Sequence, residues 1–394
     1  MIEEYNATAL IFFVLNALIF SGHFCVRKDR IAMKLEYMQH AISIAKNGIG
    51  FVNPNPLVGA VIVKNNKIIG EGWHEYYGGL HAERNALKNC METPKDAELY
   101  VTLEPCCHQG KNPPCTDAII EAGIKKVYIG SDDPNSLVAG KGIAQLRRAG
   151  IEVITNICKP ECDKLNKIFF HYITTKMPYC MIKIAMTADG KTATRAGFSK
   201  WITGTESRYH VHETRKRFAG IMCGIGTVLA DDPTLTCRIE NPSNPIRIIC
   251  DSNLQIPLDC KLVHTAKDVP TYIASCYVDK HKVEKLEKLG VHILEVPSED
   301  GHVKLRSLMR KLGTLEIDSV LLEGGAALHE SALRAGIVQH IQVYIAPKIF
   351  GGISAKSAVG GVGVSEVEEA YKLSMPEIHQ YGNDVLLDYD ILEE

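Results

Sequence analysis

The sequence predicts an α/β protein built as two successive domains. Three observations predict it. The chain has 394 residues, more than one typical core accommodates. Strand-like and helix-like patterns alternate along it, as in layered α/β architectures. The alternation breaks in a mixed stretch ending at Met177-Pro178 and then restarts.

The elements follow in order. Leu35, Met38, Ala41, Ile42 and Ala45 recur at helical spacing, and Asn47-Gly48 supplies a stop. Residues 57–63 and 67–72 read as two strands around an Asn65-Asn66 turn. Residues 81–90 read as a helix, 99–103 as a buried strand, and 116–122 as a short helix ended by Gly123. Strand, helix and strand follow at 127–130, 142–149 and 151–155. Residues 163–176 form one amphipathic stretch that Met177-Pro178 breaks. After the break come a strand from Tyr179 and a helix at 206–218. Further strands lie near Ile221, 246–250, Tyr272, 291–294 and 320–322, and a helix at 327–334. The expected division is therefore 33–177 and 178–394, with residues 1–32 as an extension.

That extension does not fit the rest. Residues 7–20 are nearly all apolar but shorter than the roughly 20 residues of a membrane span. The preceding segment carries Glu3 and Glu4 and no Lys or Arg, unlike a secretory signal. We expect the native start at Met33, with a membrane tether as the competing reading.

Net charge is −2, which points neither to nucleic acid nor to an acidic membrane surface. The thirteen cysteines are scattered, and a chain of this size needs no disulfide staples, so a reducing, cytoplasmic setting is expected. Cys90, Cys223, Cys250 and Cys276 read as small buried hydrophobes.

Three residues suit a metal. His81 opens a helix, Pro105-Cys106 follows a strand, and Pro114-Cys115 opens the next helix. Zinc takes nitrogen and thiolate ligands in a tetrahedron, and a catalytic site keeps one position for water. Each ligand is expected near a helix N-terminus, where the dipole favours a thiolate. Glu83 can lie beside the metal without ligating it and carry a proton from the attacking water to a leaving nitrogen. The zinc-deaminase signature is H-x-E with P-C-x-x-C. Here eight residues separate Cys106 from Cys115. A closed structural site, with Cys107 as fourth ligand, is the alternative.

The second half says less. No G-x-G-x-x-G follows a strand, so a Rossmann domain is not supported. Glu323-Gly324-Gly325 sits between a strand and a helix, where it is a phosphate cradle or equally a plain turn. Arg215 and Arg238 are candidate phosphate ligands, although for Arg215 a solvated charge on a helix face is the plainer reading.

His81-Ala82-Glu83, the run from Thr102 to His108, Pro113-Pro114-Cys115, the run from Asn53 to Gly59 and Asp133-Pro134-Asn135 together resemble the bifunctional riboflavin-biosynthesis deaminase/reductases. The long cysteine gap is the form that family has. The resemblance runs from Met33 to the C-terminus. It implies a cytidine-deaminase-like N-terminal fold and a dihydrofolate-reductase-like C-terminal one. The implied chemistry is deamination of 2,5-diamino-6-(5-phosphoribosylamino)pyrimidin-4-one, then reduction of its ribosyl group to ribityl by NADPH. It implies zinc on His81, Cys106 and Cys115, Glu83 as acid/base and Asn55 on the pyrimidine. An Asx turn is the plainer reading of Asn55.

In the second half Ser199, Arg215, Leu235, Arg238 and Glu323 would face the substrate. Ala185, Trp201, Thr227, Asp231 and Ser252 would face the cofactor, as would the run Gly325, Ala326, Ala327, Leu328, His329, Glu330 and Ser331. Lys183 and Asp231 would stand near the reacting carbonyl. The resemblance further implies small-molecule chemistry, a homo-oligomer, and no nucleic-acid or membrane partner.

Overall fold

The computed structural model describes residues 24–110 and 112–392. The apolar run at 7–20 therefore lies outside the described residues. Contacts divide the chain into two units, one of residues up to Gly48 plus Leu57–Asn166, the other of Ile49–Pro56 plus Lys167–Glu394.

The first unit opens with α1 (Phe24–Ala45), which begins nine residues before Met33. Then come β1 (Gly59–Lys64), β2 (Lys67–Trp73), α2 (Ala82–Lys88), β3 (Glu98–Leu103) and α3 (Cys115–Glu121). The unit closes with β4 (Lys126–Ser131), α4 (Lys141–Arg148), β5 (Glu152–Ile154) and α5 (Lys159–Leu165). The sheet order is β2-β1-β3-β4-β5. β1 is antiparallel to β2 and β3, while β3, β4 and β5 run parallel.

Because strand side chains alternate between faces, each strand feeds two cores. Ala60, Ile62, Leu99, Val101, Val127 and Ile129 pack with Ala82 and Ala86 of α2, Ile119 of α3 and Leu146 of α4. Val61, Val63, Tyr100 and Tyr128 pack on the other face with Met38 and Ala41 of α1 and Cys162 of α5. This is the expected three-layer domain. Asn65 and Asn66 both take positive φ, 50° and 61°, which suits the twist of a tight hairpin.

Two boundaries differ from expectation for one reason. β1 begins at Gly59, not Leu57, because the Asn166 side chain binds both Leu57 backbone groups. It accepts the Leu57 N–H at 2.8 Å and donates to the Leu57 carbonyl at 2.9 Å. The same Asn166 breaks the expected stretch 163–176 into α5 and α6 (Lys167–Thr175).

The second unit continues with β6 (Tyr179–Thr187), α7 (Thr205–Arg217), β7 (Gly220–Gly224), α8 (Ile225–Asp231), β8 (Ile246–Cys250) and α9 (Lys261–His264). β9 (Thr271–Ser275), α10 (Lys280–Lys288), β10 (Val291–Glu295) and the ribbon β11 (Ser298–Glu299) with β12 (His302–Val303) come next. The last elements are α11 (Leu305–Thr314), β13 (Ser319–Glu323), α12 (Ala326–Arg334), β14 (His340–Ala346), β15 (Glu377–Tyr381) and β16 (Asp384–Asp390). The nine-stranded sheet has the order β10-β9-β8-β7-β13-β6-β14-β16-β15. It is parallel as far as β14, and β16 and β15 add an antiparallel edge. α11, with Leu305, Leu308, Met309 and Leu312, covers one face together with α12. α9 and α10 cover the other through Leu262, Val263 and Leu286.

The expected boundary near Pro178 marks the start of this sheet at β6. By contacts, α6 already belongs to the second unit. The twelve cysteines from Cys90 to Cys276 are all free. Cys223 is buried as expected, whereas Cys90, Cys250 and Cys276 are only partly covered. Among the described residues no helix is long and apolar enough to cross a membrane.

Candidate active sites

In the first unit, three short devices bring the ligands together. His81 is the N-cap of α2. The carbonyl of the preceding residue, Leu80, accepts bonds from His74 Nδ1 at 3.0 Å and Asn85 Nδ2 at 3.4 Å. The His74 ring also packs edge-on against His81, with centroids 5.4 Å apart. Cys106 sits on the loop after β3. Buried Glu104 accepts the N–H groups of Gly140 and Ile143 at 3.0 and 3.1 Å, which ties that loop to the start of α4. Gly142 permits the approach, since a Cβ there would meet the Pro105 carbonyl at 2.2 Å. Arg84 of α2 donates to the carbonyls of Pro113 and Pro114 at 3.1 and 2.8 Å. It thereby fixes the entry to Cys115, the first residue of α3.

His81 Nδ1 lies 3.4 Å from both Cys106 Sγ and Cys115 Sγ. Among the described residues these three are the group that could hold a metal, with ligand atoms within 4.8 Å of one another. One nitrogen and two sulfurs at this spacing fit zinc with one position left over. Cys106 is not on a helix, yet the Cys115 N–H at the start of α3 donates to its Sγ at 3.4 Å. The Cys115 thiol beside it draws the Cys106 thiol down to about 4. Cys115, bonded to that thiolate and buried, is pushed up. The Cys106 sulfur also raises His81. Both thiols must ionise to ligate a metal, so metal binding here releases protons. Cys107 does not close the site, since its Sγ faces the Leu137 carbonyl at 3.9 Å.

Glu83 is 3 % exposed. Burial, and then the Cys106 sulfur, push its carboxyl above the ordinary range. That is the direction a proton carrier working near neutrality needs. The sequence reading missed His74, Arg84 and Glu104. Only the E-P-C run hinted at Glu104, and nothing local marked the other two.

In the second unit a cavity of about 1320 Å³ opens along the ends of the parallel strands, where α/β sheets bind ligands. Ala185, Ser199, Trp201, Arg215, Thr227, Asp231, Leu235, Arg238, Ser252 and Glu323 line it, as do Gly325 through His329 and Ser331. Glu330 does not line it. Its carboxylate turns along α12 to Arg334 Nε at 3.4 Å.

At its floor Lys183 of β6 and Glu323 of β13 are register partners, with Nζ to Oε2 at 3.0 Å. Arg215 of α7 grips the same carboxylate through Nε at 2.6 Å and Nη2 at 2.9 Å, and donates Nη1 to the Thr236 carbonyl at 2.9 Å. Burial alone would raise Glu323, but Arg215 and Lys183 outweigh it and hold the carboxyl far below its ordinary value. Arg215 thus spends three of its five N–H donors on protein and keeps two, and it still lines the cavity with Arg238. The Arg238 side chain donates Nη1 to Thr234 Oγ1 at 3.2 Å at the cavity edge. Beside it His212, missed in the sequence, accepts the Arg238 backbone N–H at 3.3 Å. Burial, with Arg215 and Arg238 nearby, lowers it to about 4, so it is neutral.

The residues also fit a nicotinamide cofactor. Gly324 and Gly325 both take φ of 87° at the turn into α12, a conformation that favours glycine and brings backbone close to a ligand. Buried His329 donates its Nδ1–H to the Ala358 carbonyl, 2.8 Å away, while its Nε2 has no protein partner. An orphaned buried nitrogen on a cavity wall suits a polar ligand group.

A zinc-binding deaminase domain joined to a reductase domain is the class that this fold and these two sites define. Residues 32–131 match the cytidine and deoxycytidylate deaminase zinc-binding region, and residues 178–387 match the RibD C-terminal domain. Riboflavin biosynthesis protein RibD of Actinobacillus pleuropneumoniae is 54% identical over 358 residues, 91% of this chain and 95% of that one. The RibD of Escherichia coli K12 is 37% identical over 89% of this chain and 97% of its own. A solved RibD from Acinetobacter baumannii has a TM-score of 0.83 at 36% identity, covering 92% of this chain and 100% of that one. The diaminohydroxyphosphoribosylaminopyrimidine deaminase/5-amino-6-(5-phosphoribosylamino)uracil reductase of Thermotoga maritima gives 0.82 at 36% identity, with the same coverage. The chain belongs to the RibD family of bifunctional riboflavin-biosynthesis enzymes.

Proposed function

We propose that the first unit deaminates the diaminopyrimidine ribosyl phosphate through Glu83, and that the second reduces the ribosyl group of the product. The observation that carries this is the presence, in one chain, of the His81–Cys106–Cys115 triad beside buried Glu83 and the Lys183–Glu323–Arg215 floor of a large cavity. His81 Nδ1, Cys106 Sγ and Cys115 Sγ would hold zinc, which would supply Lewis acidity to a water nucleophile at neutral pH. Glu83 accepts the proton of the attacking water and returns it to the departing amine, and Asn55 hydrogen-bonds the pyrimidine. Gly325 to His329, Ser331, Trp201, Thr227 and Ser252 would hold NADPH, which would supply the hydride. Glu323 and Ser199 orient the sugar, Lys183 and Asp231 stand at the carbonyl, and Arg238 binds the 5′-phosphate.

The direct test gives the purified chain its diaminopyrimidine phosphate and follows ammonia, then NADPH oxidation. Ammonia without NADPH loss overturns the reductase half. Chelating the metal should stop ammonia release while NADPH oxidation on already deaminated substrate continues. Arg238→Ala should raise the reductase KM about 10- to 100-fold, the loss expected of a charge-assisted phosphate contact. Steady-state kinetics on the deaminated substrate check this, with ammonia release unchanged.

We place the enzyme in the cytoplasm, in keeping with its free cysteines. We expect a homo-oligomer. Edge strand β15 and the segment before it expose Val362, Val367, Met375 and Ile378, a surface suited to a second copy. Light scattering of the purified chain decides the mass.

A further inference from the structure

Three consecutive residues at the edge of the reductase cavity are laid along α7 by two residues of that helix. Arg215 Nη1 donates to the Thr236 carbonyl at 2.9 Å. The Cys237 thiol donates to the His212 carbonyl at 3.2 Å, and the Arg238 N–H donates to His212 Nδ1 at 3.3 Å. His212 and Arg215 are three positions apart in the helix, so they share a face. The Arg238 bond settles the His212 tautomer. Nδ1 accepts, so the neutral ring carries its proton on Nε2 and offers a ligand only a donor. Protonating Nδ1 would forfeit that bond, and burial beside Arg215 and Arg238 opposes a further positive charge. Among the described residues nothing accepts the Nε2–H, and His212 lines the cavity with Arg215 and Arg238.

The surroundings select the acceptor. The charges that act on His212 are Arg215, Arg238 and Lys183 against Glu323, three cations to one carboxylate, a surplus of two positive charges. Arg238 and the two N–H groups that Arg215 keeps are donors with no acceptor capacity. A phosphate monoester matches on both counts. Near neutral pH it carries about −1.5 to −2 charges, and its terminal oxygens are strong acceptors. We propose that His212 is a phosphate-binding residue of the reductase site, donating Nε2–H to a terminal oxygen of the substrate's 5′-phosphate beside Arg238. The inference rests on the reading of Arg238 as the phosphate ligand and adds a neutral donor to it.

Two substitutions in the full-length chain separate this role from a merely structural one. In His212→Asn the side-chain oxygen can still accept the Arg238 N–H, but no group reaches the place of Nε2. In His212→Gln the amide NH2 reaches that place. His212→Asn should raise the reductase KM for the deaminated phosphate about tenfold or more, the worth of a hydrogen bond to a charged group. Its kcat and its KM for NADPH should stay within about twofold. His212→Gln should stay within about threefold of the parent on every measure. On deaminated substrate lacking the phosphate, His212→Asn and the parent should agree in kcat/KM to within about twofold, since neither can make the contact. A His212→Gln variant as weak as His212→Asn, an unchanged KM in His212→Asn, or an equal loss on both substrates overturns the proposal. Arg238→Ala separates the inference from the reading beneath it. If that variant prefers the phosphorylated substrate as strongly as the parent does, the phosphate reading fails and the inference with it. If it loses the preference while His212→Asn keeps it, Arg238 stands and the role of His212 is refuted.

Discussion

Glu83→Gln yields a protein that binds stoichiometric zinc and oxidises NADPH on deaminated substrate, yet releases ammonia at least about a thousandfold more slowly. The amide keeps the shape of the carboxyl and its place on α2 but cannot hold and return a proton. His81, Cys106 and Cys115 are untouched, so metal content stays the same. Glu83 is buried, and burial raises its carboxyl above the ordinary range, the direction that favours holding a proton between the two transfers. Metal analysis, ammonia release and NADPH oxidation on one preparation check the three parts together. Retained ammonia release would remove Glu83 from the mechanism.

The second large effect belongs to Glu323. Replacing it with alanine leaves Lys183 and Arg215, only 16 % and 12 % exposed, as adjacent cations without their shared carboxylate. Removing one partner of a buried pair costs about 3–5 kcal/mol, so the second unit should unfold at markedly lower denaturant and reductase activity should be lost. Glu323→Gln keeps the shape and loses the charge, and should fall between the two.

The pH dependence has a definite sign. The folded-state carboxyl of Glu323 lies below its unfolded value of about 4.3. Its stabilisation is therefore fully present above that value and is lost as the pH falls below it. Denaturant midpoints should drop in the parent between about pH 5 and pH 3, and less in Glu323→Gln. Equal slopes in the two proteins would contradict the assignment.

The metal site was legible because its marks are local. His81, Cys106 and Cys115 each sit beside a helix start or a proline, and Glu83 is two residues from a ligand. The supports of the site were not legible, since His74, Arg84 and Glu104 act through backbone carbonyls and N–H groups that no spacing reveals. The reductase floor joins Lys183, Arg215 and Glu323 from three elements, with Glu323 more than a hundred residues from the other two, so only resemblance located it. It could not show that Arg215 is taken up by Glu323, or that Glu330 faces away.

Secondary structure failed where a side chain stood in for a ladder, as Asn166 does at Leu57. It also failed where no alternation exists, as in β15, which is exposed over most of its length. The helix α11 carried a readable apolar spacing in Leu305, Leu308, Met309 and Leu312, but it fell beyond the motifs that had guided the reading.

The placement of Ile49–Pro56 bears on how such a gene can be taken apart. A single cut near residue 177 divides the polypeptide but not its contacts. It strands eight residues, Asn53 among them, and also α6, on the piece that lacks Asp318. A designer who divides the enzyme there breaks the Asn53–Asp318 pair, and must supply another partner for the buried carboxylate.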